Sequence, residues 1–302
     1  HLMYFHPRSA SKKSVSTDQF GARNSVGTKP NAPTALLVGG SSVFGIGATS
    51  DSKTIPSLLN TSTKYNWRNL GGRAFNSTQE AILLHLSNTK KIDGPIVVMS
   101  GANNLTRSLM SGSFSPMYGA FFHQGLFEQQ MKSAAVGNRA LTRQLIAGLR
   151  EKFGIGKKPT AQTGSHTSGI RAESYKAMLA VFERDCDYIN MLAKHNSTSA
   201  SFVLQPFAPW INKSFTPQEV ELFELLDQEA ESFSRILIEL ADHKAQYARD
   251  VEAICTNAGL KFLDLNIAPE LQQLEWLFVD RVHLTDAGYS VVAKLLVRDL
   301  SL

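Results

Sequence analysis

The sequence predicts a three-layer α/β fold, with a central, mainly parallel five-stranded sheet covered by helices on both faces. Three observations predict it. Short strand-like apolar runs alternate with stretches of helical period, the pattern of parallel strands joined by right-handed crossovers. Residues 95–101 (PIVVMSG) are almost continuously apolar, as a strand buried on both faces must be. At 302 residues, 43% hydrophobic and 19% charged, the chain is long enough to bury such a core.

Taken in order, residues 1–33 are rich in Ser, Lys, Asn and Pro and lack periodicity. They predict an extended lead-in that wraps the domain or stays mobile, ahead of a domain over 34–302. Residues 34–39 (TALLVG) are the first strand, and Gly39-Gly40-Ser41-Ser42 is a sharp turn that lifts a serine out of the sheet edge. Pro56 opens the next helix. Residues 65–70 (YNWRNL) are the second strand, and Ser77 with Glu80 is read as a capping box ahead of AILLHL. After the third strand comes a helical and aromatic insertion, 105–171, including FSPMYGAFFHQGLF, which can act as a lid or floor a substrate cleft. A helix over 172–194 and a strand over 199–204 follow. Pro217 opens a long acidic helical stretch to about residue 257, broken once and ended by Gly259. Residues 261–265 are the fifth strand, and Thr285 caps the last helix.

Charge and composition exclude some functions. The net charge is +5, but residues 105–171 carry +7 and the remainder −2, so an acidic carrier protein or an anionic substrate is the partner expected at the insertion. No aromatic-basic interleaving marks a nucleic-acid module, and no apolar run is long enough to span a membrane. Cys186 and Cys255 lie in helical stretches and read as buried thiols, with no zinc spacing and no metal site expected. His123, His195 and His243 have no partner pattern, while His85 reads as structural on its helix and His166 as solvent-exposed in the loop 159–169. The chain opens on His-Leu-Met, which leaves a removed leader or anchor open, and a cytoplasmic location is expected.

In a parallel α/β sheet the ligand site lies beyond the carboxyl ends of the strands. Four polar clusters fall there: 39–45, 69–75, 101–104 and the loop holding Asp280 and His283. Together they supply Ser, Asn, Asp and His, the groups of an acyl-transfer site. Ser42 is the hydroxyl that a shifted turn would present instead.

These residues carry a resemblance. In order, Gly39-Gly40-Ser41 with Gly45, NLGGRAFNSTQ, Gly101-Ala102-Asn103-Asn104 and Asp280-Arg-Val-His283 resemble the four blocks of the SGNH (GDSL-type) hydrolases. The likeness covers residues 34–104 and 260–300, not 105–198, and the first block is similar to a Gly-Gly-Ser variant in which Gly40 replaces the aspartate. GGSSVFGIGAT, NLGGRAFNSTQE and SGANNL are also similar to a bacterial subgroup associated with secondary-metabolite gene clusters. The resemblance implies a flavodoxin-like fold and a serine hydrolase of esters or thioesters that needs no cofactor. Ser41 would be the nucleophile, His283 the base and Asp280 its orienting carboxylate, with an oxyanion hole of the Ser41 N–H, the Ala74 N–H and the Asn103 amide. Gly72 is the alternative donor to Ala74. An acyltransferase with the same triad and an inactive binding protein on the same fold are the competing expectations.

Overall fold

A computed structural model describes residues 3, 5–87, 92–110, 115, 117–121, 172–229, 237 and 239–302. Five parallel strands, β1 (Thr34–Gly39), β2 (Asn66–Gly71), β3 (Ile96–Ser100), β4 (Ala200–Leu204) and β5 (Lys261–Asp264), lie in the order β2-β1-β3-β4-β5. That is the flavodoxin-like order, whose topological switch point falls between β1 and β3. Registers are tight there: Leu37 pairs with both Asn69 and Val97, and Gly39 with both Gly71 and Met99.

Strand alternation explains the layers. Leu36, Val38, Ile96, Val98 and Phe202 face one side, where they meet Leu84 of α3 (Ser77–Ser87), Phe182 and Ile189 of α5 (Ala172–His195), and Tyr247 and Val251 of α7 (Lys244–Asn257). Ala35, Leu37, Val97, Met99 and Val203 face the other. They meet Ile55 and Leu59 of α2 (Ile55–Ser62), Phe223 of α6 (Pro217–Glu229), and Tyr289 and Val292 of α8 (Asp286–Leu300). Both faces are dry, which is why β1 and β3 read as unbroken apolar runs. A four-residue helix α1 (Ser41–Phe44) follows β1, and α4 (Ala102–Met110) follows β3.

The structure moves several expected boundaries. The second strand starts at Asn66 and runs to Gly71. The fifth stops at Asp264, because that side chain turns to accept the Asn266 N–H and opens a 3-10 turn. The capping box at α3 is one residue earlier than the sequence reading. Asn76 Oδ1 accepts the Gln79 N–H (3.0 Å) while Gln79 Oε1 accepts the Asn76 N–H (3.1 Å). Ser77 Oγ instead donates to Asp185 (2.7 Å), and Glu80 is buried, accepting Ser100 Oγ (2.6 Å). The acidic stretch after Pro217 is interrupted, with a 3-10 turn at Leu240–His243 before α7, and Gly259 (φ +76°) ends it. Thr285 caps α8 as read, accepting the Gly288 N–H.

The described lead-in wraps the turn after β1. Arg23 is buried and donates to Asp51 Oδ1 (2.7 Å), to the carbonyls of Gly45 (2.7 Å) and Phe44 (3.1 Å), and to Ser14 O (2.6 Å). Most of the insertion, and with it the expected lid, His123, His166 and the carrier-facing basic surface, lies outside the described residues. Its first part continues α4, and Tyr118 O and Ala120 O accept from Asn76 Nδ2. Cys186 and Cys255 are buried free thiols, and their mutual hydrogen bond, then burial, pushes Cys186 far above the ordinary thiol value. Among the described residues no helix is long and apolar enough to cross a membrane, and no group of three or more His, Cys, Asp or Glu could hold a metal ion.

Candidate active site

Strand β1 must end in glycine. A Cβ on Gly39 would stand 2.2 Å from Met99 O, inside the neighbouring strand. One on Gly40 would stand 2.8 Å from Asn103 Nδ2, so the residue before the serine is kept small by the amide across the cleft. Ser41 is the first residue of α1, half-buried at the rim, while Ser42, Val43 and Phe44 point inward. The helix closes with Gly45 N–H on Ser41 O (2.9 Å) at φ +93°, a left-handed position that favours glycine, and there Arg23 grips the carbonyls.

The second half of the site is a tight loop. Phe278 bridges Leu284 antiparallel, and the Val279 N–H donates to His283 O (2.9 Å), so residues 279–283 form a compact turn. Its base is held from α6, where the buried Glu219 carboxylate accepts the N–H groups of Leu277 (3.0 Å) and Phe278 (3.1 Å). Within the turn, Asp280 Oδ1 accepts the N–H groups of Val282 and His283, both at 2.7 Å, which aims Oδ2 at the imidazole.

Folding brings the two halves together. His283 Nε2 lies 2.7 Å from Ser41 Oγ, and His283 Nδ1 lies 2.6 Å from Asp280 Oδ2. With a carboxylate at Nδ1, the neutral ring carries its proton there and leaves Nε2 to accept the Ser41 hydroxyl. Burial alone would push the Asp280 carboxyl up. The His283 hydrogen bond and charge, with the two backbone N–H groups, outweigh burial and hold it below the usual carboxylate range. Ser42 faces away: its Oγ is buried, 3.3 Å from Val282 O and 3.5 Å from Gln205 Nε2.

Asn103, Ala74 and Ser41 line one cleft with His283 and Asp280, of about 440 Å³. Asn103 Nδ2 donates to Phe75 O (2.8 Å), which fixes the amide plane and leaves its second hydrogen for another acceptor. Ala74 sits at φ +59°, a left-handed conformation that turns the backbone of 73–75 at the rim and is costly for any residue but glycine. The Gly72 N–H, the alternative donor, is committed to Gly39 O (2.9 Å). Asn69 and Asn104 brace the blocks: Asn69 Nδ2 donates to Val43 O (2.9 Å), and Asn104 Oδ1 accepts the Ser77 N–H (2.9 Å).

Sequence reasoning missed the cleft walls, which are Arg73, Arg107, Arg281 and Asp227 among apolar Ile46, Phe223, Leu226, Leu237 and Val282. Only Arg107 had a usable signal, standing four residues after Asn103. A second hollow of about 320 Å³ lies on the other side of the 71–75 loop, under Phe5, Arg8, Phe20 and Leu86, and none of Ser41, Asp280 and His283 lines it.

No family model and no curated protein matches the sequence. Among solved structures, the chain is similar to LAE5, an alpha/beta hydrolase enzyme from the metagenome of Lake Arreo, Spain, at 12% identity and a TM-score of 0.47, over 91% of this chain and 97% of that one. It is similar to a catalytic mutant of Axe2, an acetylxylan esterase from Geobacillus stearothermophilus, at 14% identity and a TM-score of 0.45, over 89% and 94%. It is also similar to the acetyl xylan esterase AlAXEase, at 11% identity and a TM-score of 0.44, over 88% and 99%. Likeness at this level assigns neither a family nor an activity.

Proposed function

We propose that the protein is an SGNH-type serine hydrolase of small-molecule esters or thioesters, acting through an acyl-enzyme on Ser41. One observation carries this reading: the hydrogen-bonded chain Ser41 Oγ to His283 Nε2 (2.7 Å) and His283 Nδ1 to Asp280 Oδ2 (2.6 Å), open to a cleft that also holds Asn103. A neutral hydroxyl is a poor nucleophile. In the first step His283 Nε2 takes the Ser41 proton as Oγ bonds to the carbonyl carbon, and Asp280 stabilises the imidazolium that results. The same proton is handed to the departing alkoxide or thiolate as the carbonyl re-forms. Water then repeats the sequence on the acyl-serine, with His283 again as base, and releases the acid. Charge developing on the carbonyl oxygen would be met by the N–H groups of Ser41 and Ala74 and by the second hydrogen of Asn103 Nδ2. Each such donor contributes on the order of 3 kcal/mol of transition-state stabilisation. Every bond change is acid–base and nucleophilic, so the scheme calls for no metal ion or organic cofactor.

Turnover of p-nitrophenyl acetate and of a short acyl thioester tests the reading, with Ser41→Ala and His283→Asn as controls. Hydrolysis that both substitutions abolish supports it. Slow hydrolysis that an added alcohol or amine accelerates many-fold would make the protein an acyltransferase with the same first step. A folded protein inert towards every ester would make it a binding protein.

A further inference from the structure

We propose that the hollow behind the 71–75 loop is a second binding site, for an anionic amphiphile: a short hydrocarbon chain carrying one carboxylate or phosphate. The site stands apart from the esterase reading. It shares with the catalytic cleft only that loop as a wall, with Ala74 on the cleft side and Phe75 on the other.

Its walls follow from local structure. Strand β2 lies at the edge of the sheet, and the two-residue period sets Arg68 and Leu70 on one face, the side on which Leu84 of α3 packs. On α3, Leu83, Leu86 and Ser87 recur at i, i+3 and i+4, so they share one side of the helix and line the same hollow. The lead-in supplies the rest. Gly21 at φ +88° lets the chain turn hard against residue 6, where a Cβ would stand 2.4 Å from His6 O, and this brings Phe5 and Phe20 to one opening. Phe75 lines the hollow from the loop, its ring packed on Gly72, where a Cβ would stand 2.1 Å from it. The space is about 320 Å³, the size of a small ligand's site rather than a water's.

Two properties of the lining select the ligand. Its body is apolar, yet three large side chains remain half in water: Phe5 is 49% exposed, Phe20 64% and Leu86 51%. A hydrocarbon chain laid across them removes that surface from water, which a wholly polar ligand would leave wet. The charge is one-sided as well. Arg8 and Arg68 line the hollow and no Asp or Glu does. Among the described residues neither guanidinium forms an ion pair. Asp18, on the same lead-in turn, does not line the hollow and accepts the N–H groups of Phe20 (2.8 Å) and Ala22 (3.0 Å). Burial, then the Arg73 charge, lowers His6 to about 4, so the ring is neutral at pH 7 and the lining carries two positive charges. A guanidinium keeps its charge at any working pH and presents a planar fork that matches a carboxylate or a phosphate.

Equilibrium dialysis of octanoate and of octyl phosphate against the full chain, each below its micellar range, tests this, with n-octanol as the neutral counterpart. At least one of the anions is expected to bind one to one, about tenfold or more tighter than octanol, with an affinity that falls as salt is added. The tighter anion identifies the head group. Arg8→Gln and Arg68→Gln each weaken binding about tenfold, and Phe20→Glu, at an exposed position, weakens it further by removing apolar contact and adding a like charge. Leu226→Glu, in the catalytic cleft, leaves it unchanged. Failure of both anions to bind, octanol binding as tightly as either, or binding that survives Phe20→Glu but not Leu226→Glu overturns the proposal. None of these results bears on turnover at Ser41, so the two readings stand or fall separately.

Discussion

Glu219 is the residue through which α6 holds the loop that carries Asp280 and His283, and removing its charge has a calculable cost. Its carboxylate is fully buried and accepts five donors: Thr216 N–H (2.8 Å), Thr216 Oγ1 (3.1 Å), Leu277 N–H (3.0 Å), Phe278 N–H (3.1 Å) and the Lys213 ammonium (3.4 Å). Lys213, whose side chain is also 0% exposed, donates onward to Gln273 O (2.6 Å) and Glu275 O (2.7 Å), tying the same loop from its other end. Glu219→Ala leaves a buried cation without its counter-ion and three buried N–H groups, those of Thr216, Leu277 and Phe278, without this acceptor. Breaking a buried pair costs about 3–5 kcal/mol and each orphaned donor about 1–3 kcal/mol, overlapping rather than additive, so a loss on the order of 5 kcal/mol is expected. Glu219→Gln keeps an acceptor oxygen and loses about half of that. The assay is urea unfolding followed by circular dichroism, with Lys213→Met and the Lys213→Met/Glu219→Gln double variant completing the cycle. The double variant should be less destabilised than the sum of the singles, because the stranded charge is gone. A Glu219→Ala variant within about 1 kcal/mol of wild type would refute the reasoning.

Other outcomes follow from the same geometry. Burial first, opposed by the Ser100 hydrogen bond and reinforced by the Asp185 charge, pushes the Glu80 carboxyl up to about 8. A group raised in this way lends stability that is complete below the unfolded carboxylate value and is lost as pH climbs through the folded value. Unfolding measured at pH 5 and pH 8 should therefore show Glu80→Gln, which cannot ionise, gaining on wild type by up to about 1.4 kcal/mol per pH unit. Ala74→Gly relieves a left-handed alanine at φ +59°, and should raise stability by about 1 kcal/mol in thermal unfolding without lowering kcat, since the N–H remains. Arg23→Gln strands the buried carbonyls of Phe44 and Gly45 and the Asp51 carboxylate, and should cost on the order of 3 kcal/mol in denaturant unfolding as well as kcat.

What the sequence disclosed was local. Strands β1 and β3 were legible because both faces are buried, and Thr285 because a cap is defined by its next three residues. Ser41 and Asn103 were legible because each sits in a short block at a strand end, Asp280 and His283 because they share a four-residue block in the loop before the last helix, and the fold brings all four to one cleft. The misplaced capping box at Ser77 and Glu80 shows the limit of spacing. Asn76 and Gln79 offer the same i, i+3 pattern, and the choice was made by Asp185 and Ser100, distant residues that claim Ser77 and Glu80. Arg23 reads as one more base in a polar lead-in, yet it clamps the turn after β1. Glu219 reads as an ordinary first-turn acid, although the N–H groups it holds lie 58 and 59 residues away. Interactions of that span leave no period in the chain, and the cleft wall assembled from the loop after β2, α4, α6 and the last loop was, Arg107 apart, invisible for the same reason.

The central claim is that the hydroxyl of Ser41, and no other, is the group His283 activates. Intact-mass spectrometry after treatment with a fluorophosphonate tests it directly. The account predicts a single adduct on the wild-type protein and on Ser42→Ala, none on Ser41→Ala, and much slower labelling of His283→Asn. An adduct that persists in Ser41→Ala, or a folded wild-type protein that takes up no label, would contradict it.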